Sequence, residues 1–362
     1  MRAAVTRTGQ IEVTEVTEVP DPAPGSGHVL VRPLACGICG SDLHAAQDLR
    51  RFADLSTRVG LPGGLDPDRG VVFGHEFCAE IVDHGPDTAG TLPVGTRVCC
   101  VPTIFGPAGP EAVGYSNRFP GGLAELMVLQ EALLLPVPDG LTTDLAALTE
   151  PLAVGEHAVG LARLTGDEAC LVVGCGPVGL AVVAALKARG HGPVIAADFS
   201  PTRRRLAGAL GADEVIDPAE TSPYGRWEDL GVPANPLDRA AREMFGVPFT
   251  EAVIFEAVGV PGMLQTIIDG APPKARVVVV GVCMETDHIQ PFFGVVKELE
   301  LRFAFGYTAA EFAATLDRLA EGSLAAVGEL VTDVVDLDGA PGAFAALVHP
   351  GEHGKVLVRH GP

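Results

Sequence analysis

Ala169-Cys-Leu-Val-Val-Gly-Cys-Gly-Pro-Val-Gly179 decides how half of this chain folds. Its first five residues are uncharged and apolar, the signature of a strand buried on both faces. Gly174, Gly176 and Gly179 then occupy the G-x-G-x-x-G positions, with Pro177 and Val178 between the last two, and an Ala-rich helix over 178–189 follows. Gly174 permits a tight turn, Gly176 lets the backbone approach a pyrophosphate, and Gly179 allows the helix to pack closely on the strand. The helix start offers free N–H groups and a partial positive charge to the phosphates. The next strand, 193–197, ends at Asp198, nineteen residues beyond Gly179. That is where an acid binds the adenosine ribose hydroxyls. Strand, turn, helix and acid together point to a dinucleotide site rather than to a Gly-rich packing turn. Asp198 would repel a 2′-phosphate, which favours NAD over NADP, although Arg203 to Arg205 just downstream keep NADP open. The uncharged run Ala169 to Leu186 has the length of a membrane span, but Gly174, Gly176, Pro177 and Gly179 interrupt its middle and divide it into strand, turn and helix.

Downstream the same alternation continues: helix 201–210, strand 214–216, strand 252–256, helix 261–269 and strand 275–281, with an irregular stretch at 219–236. It implies a doubly wound parallel sheet with helices on both faces. Before about Ala153 the texture differs. Short β-branched runs (Ile11–Val19, His28–Pro33, Cys78–Asp83, Arg97–Val101, Ala124–Val128) lie between turn residues and predict a mostly antiparallel β region. Arg50 to Val72, polar and then rich in Gly and Pro, reads as a loop or lid. The tail carries an amphipathic helix at Ala309–Glu321 and strands at Leu330–Val335 and Lys355–Val358. The expected fold is therefore α/β with a β-rich domain, 1–152 plus 303–362, and a Rossmann domain, 153–302.

The chain has 362 residues, 47% of them hydrophobic, enough for a large core. Its net charge of −21 argues against nucleic acid or an anionic membrane as partner, since both demand a basic surface. Eight cysteines are too few for a disulfide scaffold, and Met1 to Gln10 lacks the apolar centre of a signal peptide, so a cytoplasmic location is expected. The cysteines are then read as metal ligands or core residues. Cys36 and Cys39 form a C-x-x-C pair with no second pair to complete a four-cysteine cage, which leaves core, loop, redox and metal roles open. His75 and Glu76, at a strand start, and Glu150, at the junction of the two textures, are each unremarkable alone. Together a thiolate, an imidazole and a carboxylate are the three protein ligands of a catalytic zinc, with a fourth position open. Domain junctions favour such sites.

With these residues assembled, the chain resembles the zinc-dependent medium-chain alcohol dehydrogenase superfamily. The resemblance rests on Cys39-Gly-Ser-Asp-Leu-His44, Gly74-His75-Glu76, Gly121-Gly-Leu-Ala-Glu125, Glu150-Pro-Leu-Ala-Val-Gly155, the Gly174–Gly179 fingerprint and Gly354-Lys-Val356. Glu150-Pro151 resembles the polyol (sorbitol) and threonine dehydrogenase branches. The resemblance implies a GroES-like catalytic domain beside the Rossmann domain. It also implies a Zn2+ ion on Cys39, His75 and Glu150, with Glu76 a neighbouring acid able to enter the coordination shell. By the same likeness, Ser41 takes the proton of the alcohol, His44 passes it toward solvent, Asp42 orients His75, and Asp198 with Arg203 holds the adenosine. The family's lobe of four close cysteines is reduced here to Cys99 and Cys100, so no structural zinc is expected. The implied activity is hydride transfer between NAD and a secondary alcohol, polyol or sugar, by a homodimer or homotetramer. The rivals are a zinc-free quinone or enone reductase of the same superfamily and a non-catalytic NAD-binding regulator.

Overall fold

The computed structural model describes all residues except 8–13, 62–64, 107–108, 349 and 362. The expected strand start at Ile11 and the Pro62–Gly64 part of the expected loop lie outside the described residues. The chain forms two units, Met1–Glu150 with Phe312–Pro362, and Pro151–Glu311.

The first unit opens with a hairpin of β1 (Arg2–Thr6) and β2 (Thr14–Glu18). Then come β3 (His28–Gly37), helices α1 (Gly40–Gln47) and α2 (Leu49–Arg58), β4 (Glu76–His84) and β5 (Arg97–Cys100). A small hairpin of β6 (Thr103–Gly106) and β7 (Gly109–Ala112) precedes β8 (Met127–Gln130) and β9 (Leu134–Pro136), α3 (Thr143–Ala147) closes the segment, and α4 (Thr149–Ala162) starts in it and belongs mostly to the second unit. β3 alternates buried and half-buried residues, so one face of its sheet meets a core built around Val29, Val31, Phe73, Ile81 and Leu129. Of the loop expected over 50–72 the first part differs, since 49–58 are helical, while the described residues beyond Arg58 are turn and loop. Asp48 supplies the N-cap, its carboxylate accepting the Arg51 amide (2.9 Å), and Leu49 is buried beneath. Leu49, Phe52 and Ala53 recur at the i, i+3, i+4 spacing of a helix, but the Gly- and Pro-rich run that follows dominates the composition of the segment. The expected strand 124–128 lies later, at 127–130; Ala124 instead makes an isolated bridge to Ala3.

In the second unit β10 (Ala169–Val173), α5 (Pro177–Ala188), β11 (Val194–Ala197), α6 (Pro201–Ala209) and β12 (Glu214–Ile216) follow the expected alternation. After them come α7 (Pro236–Phe245), β13 (Ala252–Glu256), α8 (Met263–Gly270), β14 (Arg276–Val279), α9 (Pro291–Lys297) and β15 (Glu300–Phe303). The six strands are all parallel, in the order β12-β11-β10-β13-β14-β15. That is the doubly wound order in which the chain reverses direction beside β10, at the switch point where dinucleotides bind. Every residue of β10 and β13 is buried, as helices on both faces require.

The first unit is completed from the far end of the chain. Beyond α10 (Ala309–Ala320), β16 (Val331–Val335), α11 (Ala340–Leu347) and β17 (Lys355–Arg359) join it. Its main sheet runs β16-β17-β3-β4-β5-β9, with β8 also on β3. β17 pairs antiparallel with the end of β3, Leu357 opposite Gly37, which brings Lys355 to the strand end that leads into α1. Among the described residues, no helix is long and apolar enough to cross a membrane.

Candidate active site

α1 begins where β3 ends. Cys39 stands at its N-cap, and the Asp42 carboxylate reaches back so that its Oδ2 accepts the Cys39 amide (3.1 Å). Gly74, with φ of +105°, turns the chain into β4, and His75 and Glu76 follow at the start of that strand. The ligand atoms of Cys39, His75 and Glu76 all lie within 4.8 Å of one another, although Cys39 and His75 are far apart in sequence. Cys36 is not part of this group: it is buried in β3, its thiol donates to the Gly37 carbonyl (3.5 Å), and burial pushes its pKa well up. The C-x-x-C spacing therefore divides between a core residue and a member of the three-donor group.

Asp42 is the hub of the arrangement and has no solvent exposure. Besides the Cys39 amide it accepts the Tyr115 hydroxyl at Oδ1 (2.8 Å), and the same oxygen lies 3.3 Å from His75 Nδ1, outside hydrogen-bond alignment. Burial works against a charged His75, but Asp42 and Cys39 outweigh it and hold the imidazole well above its ordinary value. The same Tyr115 hydroxyl lies 2.8 Å from Ser41 Oγ, a second hydrogen-bond contact. Its phenol is pushed well up, by burial first and then by Asp42 and Cys39, so it stays protonated. His44 sits in the last turn of α1, half-buried, and burial lowers its pKa.

Glu76 is only 1% exposed and is held by an equally buried ammonium: Lys355 Nζ donates to both carboxylate oxygens (2.7 and 2.6 Å) and to the Ile38 carbonyl (3.2 Å). Burial alone would discharge Lys355, but Glu76, and after it Cys39 and Glu150, keep its pKa above the ordinary value. Glu150, buried on α4, is thus within electrostatic reach of Lys355 but outside the three-donor group. Neither Tyr115 nor the Lys355–Glu76 pair is found by sequence reasoning. Lys355 sits in a motif used only for resemblance, and Tyr115 carries no local signal.

In the second unit the fingerprint performs the expected turn. Gly174 has φ of +88°, which favours glycine, and a Cβ on Gly179 would run into the Gly174 carbonyl oxygen. A Cβ on Gly176 would meet nothing nearer than Arg203 Nη1, at 3.9 Å, so this backbone faces open space that a pyrophosphate can enter. Pro177 and Val178 form the first turn of α5 behind it. Asp198 spends one oxygen on the Cys175 amide and the other on the Ser200 amide (2.7 Å each), which ties the fingerprint turn to the N-terminus of α6. Each oxygen keeps a lone pair for a ribose hydroxyl. Arg204 is committed to the Asp217 carboxylate (2.9 Å) and to the carbonyls of Asp198 and Phe199. The thiolate, imidazole and carboxylate of the first unit suit zinc, and the glycine cradle of the second suits a dinucleotide.

Comparison with known proteins agrees with this chemistry. Residues 25–139 match the alcohol dehydrogenase GroES-like domain and residues 177–321 the zinc-binding dehydrogenase family. (R,R)-butanediol dehydrogenase of Bacillus subtilis (strain 168) is 32% identical over 354 residues, which cover 95% of this chain and 96% of the relative. Sorbitol dehydrogenase of the same strain is 28% identical over 372 residues, covering 99% and 97%. A crystal structure of 2R,3R-butanediol dehydrogenase from Bacillus subtilis, 28% identical, covers 99% of both chains with a TM-score of 0.77. Likeness that runs through both units, at this identity, makes the chain an alcohol dehydrogenase enzyme of the zinc-dependent medium-chain superfamily.

Proposed function

We propose that this enzyme oxidises a secondary alcohol or polyol, with one catalytic zinc per chain and NAD as hydride acceptor. The observation that carries the reading is the convergence of Cys39, His75 and Glu76 beside the Ser41–Tyr115–Asp42 hydrogen bonds. Cys39, His75 and Glu150 would hold the zinc, and Glu76, neutralised by Lys355, stays beside it as a reserve carboxylate. When bound, zinc supplies Lewis acidity toward the substrate oxygen and NAD supplies the hydride acceptor. Asp42 orients His75, so that Nε2 is the nitrogen left for the metal. Ser41 accepts the proton of the substrate hydroxyl as its own hydroxyl proton is given up toward neutral His44, which passes one on to solvent. In the reverse direction the two side chains return a proton to the carbonyl oxygen.

Two features support NAD over NADP. Asp198 puts a carboxylate where the 2′-phosphate of NADP would lie, and Arg204, which donates to the Asp198 carbonyl, has its charge matched by Asp217. Arg203 faces the Gly176 cradle and would meet the phosphates. The polyol and secondary-alcohol preference rests on Glu150-Pro151 and on the butanediol and sorbitol dehydrogenase relatives. A cytoplasmic homodimer or homotetramer is the accompanying expectation. The test is NAD reduction across primary alcohols, secondary alcohols, vicinal diols, polyols and aldoses, with and without a zinc chelator. Chelator-sensitive turnover on diols or polyols is expected. Turnover that survives complete zinc removal would transfer the chain to the zinc-free reductases, and silence from zinc- and NAD-loaded protein would favour the non-catalytic rival.

A further inference from the structure

Tyr115 belongs to no motif, yet its hydroxyl meets two groups of the proposed reaction at once. It lies 2.8 Å from Ser41 Oγ and 2.8 Å from Asp42 Oδ1. The ring is held on three sides. It stacks on Phe52 of α2 (centroids 5.3 Å apart, planes 30° apart), meets Phe73 edge-on (5.6 Å) and lies 5.2 Å from the His75 ring. Such a cage fixes where the hydroxyl stands. A tyrosine hydroxyl has one proton to give and can also accept. Of the two neighbours, the carboxylate is the stronger acceptor. The proton therefore rests on the Asp42 side, and the tyrosine oxygen accepts from Ser41.

This arrangement has a consequence for each neighbour. A free serine samples three staggered rotamers. Bound to Tyr115, Ser41 is confined to one, with its lone pairs left for an incoming hydroxyl. Asp42, tied at Oδ2 by the Cys39 amide and at Oδ1 by Tyr115, cannot turn away from His75. We propose that Tyr115 is a positioning residue that couples the proton acceptor Ser41 to the metal ligand His75, and that α2 serves to hold its ring through Phe52. The proposal rests on the dehydrogenase reading above, in which Ser41 accepts the substrate proton.

Tyr115→Phe keeps the ring and its three neighbours and removes only the hydroxyl. Its kcat is expected to fall about tenfold or more, by the usual cost of a loosened acceptor, while alcohol KM and NADH affinity change little. The solvent deuterium isotope effect on kcat should rise, because proton transfer becomes slower than the other steps. Independently of turnover, zinc should pass to a chromogenic chelator faster than from the parent enzyme, because partners of a ligand typically carry about 10–100-fold in metal affinity. Phe52→Leu, which keeps the hydroxyl but releases the ring, should shift all three readings in the same direction by less, and it serves if Tyr115→Phe does not fold. Unchanged kcat, isotope effect and zinc release would overturn the proposal. So would a rise in KM with the isotope effect unmoved, which is the mark of a merely structural residue. If the parent enzyme turns over no alcohol, the dehydrogenase reading fails separately, and zinc release still decides whether Tyr115 secures His75: faster release supports the coupling, and equal release overturns it.

Discussion

Glu168→Gln should remove a large part of the stability of the dinucleotide-binding unit without touching its binding surface. Glu168 is 3% exposed at the turn that feeds β10. Its carboxylate accepts the Thr165 amide (3.0 and 3.1 Å) and hydroxyl (3.1 Å), the Gly166 amide (2.9 Å) and an Arg276 guanidinium N–H. Burial pushes this carboxyl up, but Arg276 and the Thr165 and Gly166 donors more than offset it and lower its pKa from 4.5 to about 2. At about 1.4 kcal/mol per tenfold change in acidity, that corresponds to about 3 kcal/mol. The sign follows from the direction. A carboxyl lowered in the folded state stabilises fully above its unfolded pKa, and the contribution is lost as pH falls through the folded one. The difference between parent and variant should therefore be about 3 kcal/mol at pH 7 and less than half of that by about pH 3. Trp227, the single tryptophan, is buried in the core of the same unit, its Nε1 donating to the Gly270 carbonyl (3.1 Å). Its fluorescence in urea titrations therefore reports this unit specifically. A loss under about 1 kcal/mol at pH 7, the scale of an ordinary exposed pair, or a loss that does not shrink on acidification, would refute the reasoning.

Lys355→Met strands the buried Glu76 carboxylate and should cost about 3–5 kcal/mol in chemical denaturation, most of it restored in the double variant with Glu76→Gln. Equal stability of the single variant and the parent would show that the pair is not what holds Glu76. Gly179→Ala drives a Cβ into the Gly174 carbonyl and should weaken NADH binding by about 5- to 150-fold by fluorescence titration, for an overpacking cost of about 1–3 kcal/mol. Undiminished affinity would mean the turn can shift at no cost. Asp198→Ala should raise the NADH Kd and narrow the preference for NAD over NADP; an unchanged ratio of kcat/KM for the two cofactors would remove Asp198 from that role.

The parts of the molecule readable from sequence are those specified by neighbours along the chain. The strand at 169–173, the glycine turn and the acid at 198 follow from periodicity, from a backbone angle that favours glycine and from a fixed spacing, all within thirty residues. Cys39 and His75 were legible as ligand types because thiolate and imidazole are rare enough to stand out. The helix at 49–58 was not, although Leu49, Phe52 and Ala53 keep helical spacing and Asp48 caps its start, because the Gly- and Pro-rich run after it dominates the segment. Glu150 shows the limit from the other side. Its residue type fits a zinc, but the sequence does not show that the fold also brings a second carboxylate, Glu76, beside Cys39 and His75. Sequence by itself determined the doubly wound unit, its glycine turn and two members, Cys39 and His75, of the three-donor group. Only the tertiary structure decided that Lys355, 279 residues away, neutralises Glu76, and that Tyr115, 74 residues from Ser41, joins the serine to the carboxylate behind His75. These contacts arise where β17 returns to β3 and where the chain beyond β7 passes α1. A pairing between side chains on distant segments depends on how strands and loops are laid together, and no local pattern records it.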